Sequence, residues 1–378
     1  MRQLRLRAVG VAVGLGLSAA GLFFGPLEAA AFTWSIVSSP NVGTDNNYLD
    51  GVACVSSSFC TAVGSYDNGS GTSQTLIESF DGTSWSIVPS PNIGTVRSGL
   101  GGVACLSSSS CTAVGSYRNG SNLDQTLIES WDGTNWSTVT SPSAGIADYL
   151  FGVACTSPSF CTAVGIYLPN ENGGPQSLIE AWNGTNWSIV PSPNTVSHYN
   201  YLDGVACVSS NFCTAVGWYG NGSGTSQTLI EAWNGSNWSI VSSPNGGPGN
   251  NLLSGVSCLS SKSCTAVGYE SDRTLIESLN GVRWSIVPSP SSAPPNILYG
   301  VSCISFKSLK SCTAVGGHAG GQTLIESKKA NKWSIVSSPS TGSYSTLIGV
   351  ACLSSGSCTT VGYYVNNSGV AQTLIESQ

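Results

Sequence analysis

Trp85-Ser86-Ile87-Val88, Leu100-Gly101-Gly102-Val103-Ala104-Cys105, Cys111-Thr112-Ala113-Val114-Gly115 and Thr126-Leu127-Ile128-Glu129 together make one unit, and the chain repeats it. In general form the unit runs WSIV, a proline-bearing loop, L-x-G-V-[A/S]-C, a short spacer, C-T-[A/T]-V-G, a polar turn and [T/S]LIE. Seven Trp open WSIV or WSTV segments: Trp34, Trp85, Trp136, Trp187, Trp238, Trp284 and Trp333, at spacings of 51, 51, 51, 51, 46 and 49 residues. The last copy stops at Thr373-Leu374-Ile375-Glu376-Ser377-Gln378, where another turn and WSIV are due, and the spare WSIV stands at Trp34-Ser35-Ile36-Val37. A repeat whose final strand is supplied from the front of the chain describes a closed ring. Repeats of this length built only from strands predict a propeller. The expected fold is all-β: a seven-bladed β-propeller, four strands per blade, closed by the N-terminal strand joining the last blade.

Blades are expected near residues 49–88, 100–139, 150–190, 202–241, 253–287, 298–336 and 347–377, the last completed by 33–37, within one domain spanning 32–378. In the first copy the strands read Leu49 to Cys54 (A), Cys60 to Tyr66 (B), Gln74 to Phe80 (C) and Trp85 to Val88 (D), each rich in β-branched or aromatic residues and bounded by turn residues. Strand A belongs nearest the axis, where small Gly51 and Ala53 share one face. The C–D turns carry Asp81-Gly82, Asp132-Gly133, Asn183-Gly184, Asn234-Gly235 and Asn280-Gly281, pairs that accept positive φ in tight hairpins. Lys329-Ala330 breaks that rule and predicts an irregular turn. The recurring Trp are expected to pack between blades.

Residues 1–31 stand apart. Arg2, Arg5 and Arg7 precede an apolar run from Ala8 to Phe24, and Ala29-Ala30-Ala31 offers small residues for cleavage, the pattern of a Sec-type signal peptide. An uncleaved anchor is the alternative. Without residues 1–31 the chain carries 10 basic and 18 acidic residues, net −8. Such an acidic, charge-poor body lacks the footprint for phosphate backbones, so nucleic acid is not an expected partner. No later stretch has the ~20 apolar residues of a membrane span. The 14 Cys form one close pair per repeat: Cys54/Cys60, Cys105/Cys111, Cys155/Cys161, Cys207/Cys213, Cys258/Cys264, Cys303/Cys312 and Cys352/Cys358. With only two His, a zinc site in each repeat is out of reach, and an exported chain favours disulfides across the A–B hairpins. A secreted, extracellular or envelope-associated monomer without cofactor or metal is expected.

The hairpins Phe80-Asp81-Gly82-Thr83-Ser84-Trp85 and Trp131-Asp132-Gly133-Thr134-Asn135-Trp136 resemble those of secreted bacterial β-propeller repeat proteins with [F/W]-[D/N]-G-[T/S]-x-W turns. The likeness covers residues 33–378. Ser79 to Trp85 is also similar to the Asp-box turn of sialidase-type propellers, S-x-D-x-G-x-x-W, though one residue shorter. Both resemblances imply a fold and leave the activity open.

Strand polarity puts A–B and C–D turns on one face, B–C turns and D–A crossovers on the other. Copies differ on the second face, and individuality on loops over a rigid scaffold is the habit of a binding surface. Candidate ligand contacts there are Tyr48, Asp50, Tyr149, Phe151, His198, Tyr201, Asp203 and Tyr299. Asp50 and Asp203 hold the same register position, just before the strand A Gly. The repeated Glu78, Glu129, Glu180, Glu231, Glu277, Glu326 and Glu376 have seven equivalent environments and cannot divide acid and base roles, so they are expected to bond a neighbouring turn or face water. No GxSxG, HExxH, P-loop or EF-hand pattern occurs. The leading expectation is a non-catalytic binding or adhesion module for an extracellular glycan or protein. The alternatives are a glycan-active hydrolase or lyase working over the channel, and a structural envelope protein.

Overall fold

The computed structural model describes residues 33–93, 96–197, 199–290, 295–306, 309–318 and 320–378. The expected signal segment, 1–31, lies outside the described residues. Those described form strands and no helix, in repeated four-stranded antiparallel meanders. The first comprises Asn47–Ser56, Phe59–Asp67, Ser73–Phe80 and Trp85–Ile87, with Cys54 opposite Cys60, Ala62 opposite Glu78 and Phe80 opposite Trp85. The inner two strands are longer than the sequence suggests. Pairing continues outward to Ser56 with Phe59 and to Asn47 with Tyr66, so only Ser57-Ser58 turn the hairpin.

Sheets number six among the described residues, because one has eight strands. A single parallel pairing, Ala147 with Asp124, runs two copies of the repeat together there. The sheet of Tyr344–Ser354, Ser357–Val365 and Ala371–Ser377 takes its outer strand from the other end of the chain. Ser35, Ile36 and Val37 pair with Ser377, Glu376 and Ile375.

Every inner strand carries a bulge at the same position, just before its Gly-Val pair. Register slips between Leu49 and Gly51, and likewise at Leu100/Gly102, Leu150/Gly152, Leu202/Gly204, Leu253/Gly255, Leu298/Gly300 and Leu347/Gly349. The extra residue is Asp50, Gly101, Phe151, Asp203, Ser254, Tyr299 or Ile348, and a bulge re-aims the side chain it inserts. The glycine that follows is a matter of space. A Cβ at Gly255 would sit 2.6 Å from the Tyr299 carbonyl oxygen on the next inner strand, and one at Gly349 would sit 3.1 Å from that of Asp50. That last approach carries the cycle of inner strands back to its start. The Gly-Val pairs from Gly51-Val52 to Gly349-Val350 line one narrow central channel. Four-stranded sheets in a cycle about a channel make a β-propeller.

The core lies between sheets. Trp85 packs with Leu49, Ala62 and Leu76 of its own copy and with Val361 and Ile375 of the last. Trp34 packs with Leu347 and Leu374 of the sheet it completes and with Val315 and Ile325 of the one before. Large apolar side chains buried in this way contribute about 2 kcal/mol each. The Asp-Gly turns are wider than two-residue hairpins. Asp81 Oδ1 accepts from the backbone N–H of Thr83 and Ser84, at 2.8 and 2.9 Å, while Gly82 takes φ of 97°. At Lys329-Ala330 the loop shortens to Ala330-Asn331, and Ala330 itself adopts φ of 56°.

All seven cysteine pairs are disulfides within their own hairpins: Cys54–Cys60, Cys105–Cys111, Cys155–Cys161, Cys207–Cys213, Cys258–Cys264, Cys303–Cys312 and Cys352–Cys358. They cross the A–B hairpins as expected, and the two halves of each bridge differ in their setting. The first cysteine of each pair, from Cys54 to Cys352, is only half-buried on the inner strand. The second is buried: Cys60, Cys111, Cys161, Cys213, Cys264, Cys312 and Cys358 each join an apolar cluster between sheets. The reason is that the second strand of a sheet is covered on both faces, and cysteine sulfur is apolar enough to pack there. Each bridge therefore fills core as well as closing its hairpin, and its buried half is out of reach of any ligand.

Candidate functional site

The repeated glutamates are structural. All seven are fully buried on the third strand of their sheets. Each accepts from a serine that precedes a proline in the crossover: Ser39, Ser90, Ser141, Ser192, Ser243, Ser289 or Ser338, at 2.8 to 3.0 Å. The same serines lie 2.6 to 2.9 Å from Thr373, Thr75, Thr126, Ser177, Thr228, Thr274 and Thr323 on the preceding sheet. Of the two expected roles, bonding a turn is therefore the one realised. Burial pushes Glu78 and Glu277 up to about 8 and the other five up to about 7, against the opposing serine bond. One oxygen of Glu129, Glu180, Glu326 and Glu376 has no partner among the described residues, which suits a neutral carboxyl better than an anion.

The bulge residues and the residues two before them form the rim. Asp50 and Asp203 are enclosed by protein yet keep part of their surface open, and neither has a hydrogen-bond partner among the described residues. Burial pushes both up to about 7. Tyr48 meets Tyr363 edge-on at 4.9 Å, and Tyr363 stacks on Tyr344 at 5.9 Å. Tyr201 stacks on Trp218 at 4.1 Å, within 10° of parallel. Burial, then the charge of Asp203, raises the phenols of Tyr201 and Tyr269. Burial, then Tyr344 and Tyr269, raises that of Tyr299.

Three of the expected contacts meet in one cavity. Asp50, Tyr149 and Phe151 line a space of about 300 Å³ floored by Gly99 and Gly101. Tyr201, Asp203 and Tyr299 lie elsewhere around the rim, and His198 lies outside the described residues. A second cleft, of about 470 Å³, opens between Thr195, Val196, Ser197 and Tyr199 on one side and Tyr219 to Gly222 on the other.

The first cavity has a charged wall that sequence reasoning missed. Asp124, only 5% exposed, receives both Nε and Nη2 of Arg118 at 2.9 Å, Nη2 of Arg97 at 3.0 Å and the Tyr149 hydroxyl. Burial would raise this carboxyl, but the bonds from Arg118 and Tyr149 and the charges of Arg97 and Arg118 outweigh it and hold it down at about 2. Arg97 also donates to Tyr149 Oη at 3.2 Å and lies 5.8 Å from the centre of its ring. The available signal was the slot before Gln-Thr-Leu-Ile-Glu, which holds Ser73, Ser226 and Ala371 in other copies and Asp124 here.

No protein-family model matches the chain, and no curated protein matches it. Among solved structures it is similar to YCF48 bound to a D1 peptide, at 12% identity over 76% of this chain and 82% of that one, with a TM-score of 0.46. It is also similar to YjhT, at 10% identity over 79% and 99%, with a TM-score of 0.49. The Aleuria aurantia lectin in complex with alpha-methyl-L-fucoside follows, at 12% over 81% and 94%, TM-score 0.46. Among the described residues, no helix is long and apolar enough to cross a membrane, and no three His, Cys, Asp or Glu side chains converge as metal ligands.

Proposed function

We propose that the chain is a secreted, monomeric, seven-bladed propeller that binds an extracellular glycan or protein through its crossover face, without catalysis. Seven is supported by the seven Gly-Val pairs around the channel and by the eight-stranded sheet being joined through one pairing alone. Seven disulfides support an oxidising compartment outside the cytoplasm.

One observation carries the binding reading. Seven bulges hold six residue types at the same register, among them unpartnered carboxyls and half-exposed aromatic faces, while the opposite face repeats one Asx-capped turn in four copies. Aromatic surfaces beside a few placed polar groups are what small-ligand and glycan sites are made of.

A glycan-active hydrolase is the second reading, favoured by Asp50 and Asp203, whose carboxyls near 7 suit a general acid. Two-carboxylate hydrolysis needs one acid and one ionised partner. Both aspartates are shifted the same way by the same cause, so neither is set apart as the base. The test is a glycan-array and peptidoglycan pull-down on the chain from residue 32, with product analysis. Capture without turnover is expected. Replacing Tyr48, Tyr201 and Asp203 with Ala should weaken capture at unchanged melting temperature, whereas Thr83→Ala, on the other face, should leave capture intact. Loss at Thr83 with retention in the triple variant overturns the reading.

A further inference from the structure

Gly99 is a glycine that the backbone does not require. Its φ is not left-handed, and a Cβ there would meet nothing closer than the Ser65 Cβ at 3.4 Å, an ordinary contact. At the same register other copies carry Tyr48, Tyr149, Tyr201, Leu252, Ile297 and Thr346. Two residues on, Gly101 stands where others carry Asp50, Phe151, Asp203, Ser254, Tyr299 and Ile348. Both side chains are missing in this copy alone, and the space they leave is the 300 Å³ cavity.

We propose that this cavity is a subsite for a carboxylate-bearing sugar residue, with Arg97 taking the acid group and Phe151 the sugar ring. The assignment rests on the binding reading above and names its ligand class. Both protein contacts of the Arg97 side chain run through Nη2. Its Nε and Nη1, on different edges of the guanidinium, have no partner among the described residues, so either can donate a charge-assisted hydrogen bond to a carboxylate oxygen. The Arg97 side chain is 46% exposed, and it lines the cavity, so a ligand can reach it. It is also held before any ligand arrives, by buried Asp124 on one side and by the pairing of its backbone with Ser73 on the other. Arg118 already engages both oxygens of Asp124, so two cations share that one anion, on a chain of net charge −6. Tyr149 and Phe151 stack 6.4 Å apart and within 12° of parallel, which leaves Phe151 to meet the C–H face of a pyranose. Asp50, unpartnered on the opposite side, accepts from ring hydroxyls. A neutral sugar would leave the charge of Arg97 unmatched by the ligand.

Trigalacturonate and sialyllactose, each against its carboxylate methyl ester, provide the test by titration calorimetry. At least one acid should bind about tenfold more tightly than its ester, since a charge-assisted pair is roughly twice as strong as a neutral one. Which acid does so identifies the source of the carboxylate. Gly99→Tyr, which restores the residue of three other copies, should abolish binding, and Arg97→Gln should remove the preference for acid over ester. Melting temperature reports whether either variant is folded, and if the first is not, Arg97→Gln alone decides. Equal binding of acid and ester, binding of neither, or retained binding and preference in these variants overturns the subsite. If pull-down capture depends on Tyr201 and Asp203 while no acidic sugar binds here, the subsite falls and the broader function stands. If capture is also absent, both fall.

Discussion

Ser192 Oγ donates to the fully buried carboxyl of Glu231 at 2.9 Å and lies 2.9 Å from the Ser177 hydroxyl. The three side chains thereby join the third strand of one sheet to the third strand of the next. The same joint recurs around the ring, and at Ser39 it ties Thr373, near one end of the chain, to Glu78 near the other. Between sheets that meet largely through apolar packing, this polar joint is the one that recurs in every copy.

Ser192→Ala should lower stability by about 1–2 kcal/mol, the cost of leaving a buried polar partner unsatisfied. Glu231→Gln keeps the bond and removes the ionisable proton. Its melting temperature relative to wild type should rise between pH 5 and pH 8. A constant difference across that range would show that Glu231 does not titrate in the fold.

The intact protein should be more stable at mildly acid pH than at pH 8. The seven glutamates, with Asp50 and Asp203, have folded values of about 7 to 8, above those of an unfolded chain. Between about 4.5 and 8 the folded state holds more protons, so stability is fully present below about 4.5 and declines as pH rises through 7 to 8. Calorimetry at pH 5 and pH 8 checks the direction.

Asp124 works with the opposite sign. Its folded value near 2 lies below the ordinary 3.8, so its contribution is present above 3.8 and lost as pH falls through 2. Asp124→Asn should cost about 2 kcal/mol at pH 6, in the range of charged hydrogen bonds. The gap from wild type should narrow toward pH 2.

Deleting residues 33–37 should expose the edge of the strand Ala371–Ser377 and remove Trp34 from the core it shares with Leu347 and Leu374. A lower melting temperature and concentration-dependent association are expected, read by calorimetry and light scattering. A monodisperse deletion variant of unchanged stability would show that this strand is dispensable.

The repeat, the four strands and the Cys pairing were legible because each is written as residues present in every copy. That one sulfur of each bridge, such as Cys213, lies in the core was not, since pairing says nothing of which strand is covered. The bulge was not legible either. Alternation in Leu49-Asp50-Gly51-Val52 reads as an unbroken strand, and only the register opposite Gly64 and Val63 reveals the inserted residue. The glutamates were half legible. Equivalence excluded catalysis, but Leu76, Ile77 and Glu78 are buried together only because both faces of the strand are covered. The cavity was the least legible part, because it consists of two side chains that are missing. Arg118 and Asp124 are partners across one hairpin, but only the fold brings Arg97 and Tyr149 to them.

Because Ser35 pairs with Ser377, the earliest strand of the ring has no partner until the latest has been synthesised. The contact spans 342 positions, and pairings so distant in sequence form late. A chain cut short anywhere upstream of residue 371 keeps every hairpin bridge made so far, yet cannot seat Trp34 or cover its own final edge. Such a fragment stays open to proteases at both ends. Closure of the ring thus requires both strands at once, and only a chain that carries both covers its last edge.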